Sequence, residues 1–182
     1  MPQYVALLRG INVGGHRIKM DRLRVLFEEM AFRDVSTFIA SGNVIFSTDS
    51  VDRVGLRDAI ERHLERELGY DVATFLRTPA ELAEIAEEGE GTEWDSYESH
   101  YVTFLHEPAS ESLQSALNDL GSETDAFHFA DREAHWHTRG KVSDSPLFGG
   151  ELTRVFRGLP TTMRNMNTVR RLLSKTGSSG AG

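Results

Sequence analysis

The sequence predicts a mixed α+β fold. Its first half is a ferredoxin-like strand-helix-strand-strand-helix-strand unit, and its second is an imperfectly related α+β half. Three observations carry this. Val5–Leu8 is an apolar run too short for a helix, closed by Arg9. Two later segments repeat their apolar residues at helical spacing, Met20 to Met30 and Leu56 to Leu68. Between them lie two strand-like runs separated by Ser41-Gly42-Asn43, a tight-turn signal.

In order, Tyr4–Leu8 is the first strand, and a loop bearing Gly10, Gly14 and Gly15 follows. Met20, Leu23, Leu26, Phe27 and Met30 then fall on one helix face, with Asp21 in the opening turn where its charge suits the dipole. Val35–Ala40 and Val44–Ser47 form the hairpin. Leu56, Ile60, Leu64 and Leu68 line a second helix over Val54–Leu68, with Gly69 at its expected stop. Val72–Leu76 is the fourth strand. An acidic helix opening at Thr78-Pro79 leads into a glycine- and acid-rich linker, Glu87–Ser99. The scheme then restarts with strand Tyr101–Leu105, helix Ser110–Leu120 and strands Ala126–Ala130 and Ala134–Thr138. After Pro146 it weakens into helix Leu147–Arg157 and a last helix from near Thr161. The predicted division is therefore 1–78, an acidic helix and linker at 79–99, a second half at 100–175 and a disordered tail at 176–182.

The absence of cysteine excludes disulfides, thiolate catalysis and Cys-ligated zinc. The opening residues lack a signal peptide's basic start and long apolar stretch, and no segment is apolar enough to span a bilayer, so the chain reads as cytoplasmic without a membrane partner. A net charge of −8 argues against nucleic acid as a partner. Charge is unevenly spread: Ala80–Glu133 holds fifteen Asp or Glu against one Arg, while Arg154–Lys175 holds six basic residues and no acid. Another basic segment, Arg9–Arg24, carries five Lys or Arg against Asp21 alone. Either these are solvated faces, or the basic segments bind an anion.

In the predicted unit the first two strands run parallel, so the loop Arg9–Gly15 and the turn Ser41–Asn43 lie at the same end of the sheet. Gly14, Gly15 and Gly42 allow positive φ and close approach of backbone N–H groups, Arg9 supplies a forked donor, and Asn12, Ser41 and Asn43 add hydrogen bonds. These residues form either an anion site or turns that merely brace the fold. On a helix from Thr161, Met163, Met166, Val169 and Leu173 fall on one side. Arg164, Asn167, Thr168 and Arg171 fall on the other, and Thr161 or Thr162 caps the start. Arg164, Asn165, Asn167 and Thr168 complete the predicted ligand set.

In three segments, Tyr4–Gly15, Phe38–Phe46 and Thr162–Thr168, the chain resembles a bacterial domain-of-unknown-function family, number 1697. It departs at Met166, where that family tends to carry an aromatic. The resemblance implies a two-part α+β fold with a ferredoxin-like first half, and no activity.

Five of the seven histidines lie between His100 and His137. With Asp131-Arg132 as a two-residue turn, His128 pairs with His135, Ala126 with His137, and Phe127 with Trp136 on the opposite face. The predominant reading is a solvated His-rich face; the alternative is a metal site of His128, His135 and His137. Four functional classes stay open. They are a binding module for a small anionic or phosphorylated ligand, an enzyme with His16 as base and Arg9 as electrophilic stabiliser, a single-strand nucleic-acid binder, and a partner-binding protein. No cofactor, reaction or oligomeric state follows from the sequence.

Overall fold

A computed structural model describes residues 1–177. The chain divides into two compact units, Met1–Leu82 with the segment from Leu172, and Ala83–Arg171. The tail predicted at 176–182 lies, from residue 178, outside the described residues. Among the described residues no helix is long and apolar enough to cross a membrane.

The first unit contains β1 (Gln3–Leu8), α1 (Met20–Glu28), β2 (Arg33–Phe38), β3 (Asn43–Ser47), α2 (Arg53–Leu68) and β4 (Thr74–Arg77), followed by α3 (Pro79–Glu87). Its sheet has the order β2-β3-β1-β4 with every neighbour antiparallel. β1 and β2 thus both oppose β3 and run parallel to each other, as the sequence requires. The apolar run of β1 does not alternate because both faces are covered: Val5 to Leu8 are all fully buried. Tyr4, Ala6 and Leu8 join Leu23, Leu26 and Phe27 of α1 and Leu56, Ile60 and Leu64 of α2 in one core. Phe46 stands at its centre, stacked on Phe32 at 4.5 Å between ring centres and edge-on to Phe27 at 5.5 Å. α2 begins where the Asp52 side chain accepts from the Gly55 N–H at 3.0 Å and stops at Gly69, whose φ is 81°.

The second unit contains β5 (Ser99–Phe104), α4 (Glu111–Asn118), β6 (Asp125–Ala130), β7 (Glu133–Thr138), α5 (Leu152–Val155), β8 (Thr162–Asn165) and the start of α6 (Met166–Thr176). Its sheet order, β6-β7-β5-β8, repeats the first. The repetition extends to single bonds. Leu8 N–H donates to Gly42 O at 2.8 Å, and Leu105 N–H donates to Arg132 O at 2.9 Å. Buried Arg77 of β4 lies opposite Val5 and buried Arg164 of β8 opposite Val102, and each donates at 2.9 Å to the carbonyl of the residue before it.

Two expectations are corrected. The last helix does not begin near Thr161, because Thr162–Asn165 is the strand that completes the second sheet against β5. The helical spacing of Met163, Met166 and Val169 outweighed a four-residue strand too short to show a period of two. Arg164 is accordingly a strand residue, 6% exposed, and not part of a polar helical stripe. Neither Thr161 nor Thr162 caps α6; the Asn165 side chain accepts from Asn167 N–H at 2.8 Å instead. The helix read at Leu147–Arg157 is interrupted at Gly149, φ 87°, and only Leu152–Val155 is α-helical.

At the start of β6, Asp125 accepts from Trp136 Nε1 at 2.9 Å, Thr124 Oγ1 at 2.7 Å and Ser145 Oγ at 3.1 Å while 2% exposed. Burial alone would raise its carboxyl, but hydrogen bonds from Thr124, Trp136, Thr138 and Ser145 outweigh that and hold it below the usual range. Asp125→Ala leaves the indole N–H buried without a partner, and urea unfolding followed by tryptophan fluorescence is expected to show a loss of about 3 kcal/mol.

Candidate functional site

In the first unit the glycine loop and the hairpin turn do meet. Asn12 Nδ2 donates to Ala40 O at 3.0 Å and Asn12 Oδ1 accepts from Ile18 N–H at 2.8 Å, so this side chain ties the loop to the turn and to its own exit. Asn43, fully buried, donates to Phe38 O at 2.9 Å and Ser41 Oγ at 3.0 Å. Both asparagines are thus committed to internal bonds that hold the backbone. Gly14 and Gly15 adopt φ of 62° and 90° with open space where a Cβ would stand. Arg9 is exposed and forms no ion pair among the described residues. His16 lies flat on Tyr70, ring centres 3.7 Å apart.

The closing motif belongs to the second unit. Arg164 donates to Thr162 Oγ1 at 2.7 Å and Met163 O at 2.9 Å, and burial lowers it to about 10, which leaves it charged at neutral pH. Asn165 and Thr168 are half-buried and Asn167 is exposed. A polar cavity of about 160 Å³ opens beside them. Asn165, Asn167 and Arg170 line one side, His100 and His137 another, and Trp94 and Tyr97 a third. Glu98 also reaches the cavity.

The histidine wall is built by strand register. β6 pairs with β7 as the sequence predicts, Ala126 with His137, Phe127 with Trp136 and His128 with His135. β5 adds His100 opposite His137. Four imidazoles thereby share one face. His100 Nε2 and His135 Nδ1 are 2.8 Å apart, and His137 Nε2 and His128 Nδ1 3.2 Å apart, one ring of each pair donating and the other accepting. His100 stacks on His137 at 3.9 Å, and Trp94 stacks on His137 at 3.8 Å.

This face is not solvated, contrary to expectation. His135 is fully buried and His137 is 1% exposed. Burial is the largest cause lowering all four. His100 falls to about 2, helped by His137, His135, His128 and Arg170, while His135 and His137 each fall to about 3. His128 is also lowered, with Glu88 and Glu93 opposing the shift. All four rings are therefore neutral at pH 7. Among the described residues no group of three His, Cys, Asp or Glu side chains is arranged to hold a metal ion, and His128 Nδ1, His135 Nδ1 and His137 Nε2 are each engaged by another imidazole.

The duplicated framework does not require these histidines. By sheet register, Gln3, Ile45 and Ser47 of the first unit stand where the second holds His100, His135 and His137. Sequence reasoning missed Trp94, Tyr97, His100 and Arg170. Trp94 and Tyr97 lie in the stretch read as a linker, and the pairing partner of His100 is set by a strand contact that spans 37 residues of chain.

Residues 1–135 match the model of a family described as Protein of unknown function (DUF1697). No curated protein matches the chain. A solved structure, described as the conserved bacterial protein SP0830 from Streptococcus pneumoniae, is similar over 97% of this chain and 99% of its own at 21% identity, with a TM-score of 0.81. That likeness shows the fold alone.

Proposed function

The chain belongs to this family of proteins of unknown function, and from that premise we propose that it binds a small anionic ligand in the cavity at the start of α6. One observation supports this reading above the others. His137 is 1% exposed and lines the cavity, and its Nδ1 has no hydrogen-bond partner among the described residues. Beside it stand the Arg170 guanidinium and the N-terminus of α6, whose dipole is positive at that end. The cavity is smaller than the roughly 300–1,000 Å³ of drug-sized sites, which suits a carboxylate or a phosphorylated fragment and not a dinucleotide. Glu98 on the wall offsets part of the attraction that Arg170 exerts on an anion.

Thermal unfolding in sulfate and acetate tests the reading. Both anions should raise the wild-type midpoint with concentration, and Arg170→Ala should abolish the rise. A second reading places the anion on the first unit, because Arg9 is exposed and unpaired beside a glycine-rich loop. It expects Arg9→Ala to abolish the rise and Arg170→Ala to leave it intact, so the two variants decide between the sites.

A further inference from the structure

We propose that the α6 cavity takes up its anion together with one proton, which settles on the histidine stack at His137. This rests on the anion-binding reading above and adds the protonation state of the occupied site. In the free protein His137 is sandwiched between Trp94 and His100, and its Nε2 is engaged by His128. Burial and the neighbouring imidazole keep it neutral, down to about 3, so it meets the ligand as an uncharged ring. A neutral ring with Nε2–H donating to His128 presents a bare Nδ1 lone pair, which repels an anion. Protonating Nδ1 turns that lone pair into a charged donor, and the anion in turn supplies the counter-charge that burial had withheld.

The surroundings admit one extra positive charge only when a negative one accompanies it. His128 from β6 and His100 from β5 crowd the ring, His135 from β7 is electrostatically coupled to it, and Arg170 of α6 adds a fixed positive charge. Glu88 at the end of α3 lies 3.6 Å from His128 Nε2, and Glu93 acts on the same ring. Glu98 lines the cavity itself. Glu88 and Glu93 act on His128, and the charges acting on His137 include no carboxylate, which leaves the incoming anion as the partner His137 lacks. The first unit carries Ser47 at the matching position, so the arrangement belongs to this cavity and not to the repeat.

Sulfate is the probe, because its charge does not change between pH 7.5 and 6.0. Titration calorimetry in two buffers of different ionisation heat counts the protons taken up. The expected result is proton uptake rising toward one per sulfate as pH falls, with affinity tightening by up to about tenfold per pH unit. His137→Gln, whose amide can still bond His128, should bind sulfate more weakly and without either effect. Sulfate binding that is flat in pH and takes up no proton in the wild type overturns the coupling and leaves the anion site standing. An absence of sulfate binding at every pH overturns both.

Discussion

Between pH 7.5 and 5.5 the second unit will lose about 4 kcal/mol of stability through three buried imidazoles. The unfolded chain protonates its histidines near 6.5, whereas His100 falls to about 2 and His135 and His137 to about 3 in the fold. For a base whose folded value is depressed, the unfolded state binds more protons below 6.5, so stability is fully present above that pH and is withdrawn as pH falls toward 3. Each such ring costs about 1.4 kcal/mol per pH unit in that window. Three together remove about 4 kcal/mol by pH 5.5, a large part of the 5–15 kcal/mol typical of a domain. Urea midpoints across this range are the check. His135→Leu removes one of the three buried bases, and the pH slope should fall by about a third. A stability flat from pH 7.5 to 5.5 would mean that the stack is hydrated or already charged, and the proton-coupled site would lose its basis.

Gly42→Ala will destabilise the first unit by about 2–5 kcal/mol, whereas Gly14→Ala will cost only about 1 kcal/mol. Both glycines have positive φ, 84° and 62°, so the local strain of an added Cβ is similar. They differ in what the Cβ would meet. At Gly42 it would stand 2.5 Å from Ile11 Cγ2 and 3.2 Å from Leu8 Cβ, and at Gly14 it meets nothing within 4 Å. Ile11 and Leu8 are fully buried and cannot retreat without disturbing the core around β1. Urea denaturation of the two variants measures the difference directly. Equal small losses would show that the turn and the loop are not in contact.

Much of this architecture is legible in single elements. The uninterrupted apolar run of β1, the spacing of Leu56, Ile60 and Leu64, and the stop at Gly69 each state their own conformation through local chemistry. The β6–β7 ribbon is legible as well, because a two-residue turn at Asp131-Arg132 sets the register of everything beside it. β8 is not legible. Its four residues carry no period of their own, and the helical spacing that runs through Met163 and Met166 continues into α6. The candidate site divides in the same way. That Asn12 and Asn43 lie near the glycine loop follows from connectivity, but that their amides are spent on Ala40, Ile18, Phe38 and Ser41 follows only from packed geometry.

The amino-acid sequence by itself determined the α+β class, the order of the first unit's elements, the meeting of the glycine loop with the Ser41–Asn43 turn, and the facing of His128 with His135. Each of these is a short-range or pairwise consequence of periodicity, turn chemistry and chain direction. Tertiary structure alone decided that Arg164 is a buried strand residue, that His100 completes a stack of four neutral imidazoles, and that the stretch read as a linker delivers Trp94 onto His137. Those outcomes depend on pairing between segments far apart in the chain and on which polar groups lose water when they pair. Burial of a charge or an imidazole is a property of its neighbours, and the local sequence does not carry it.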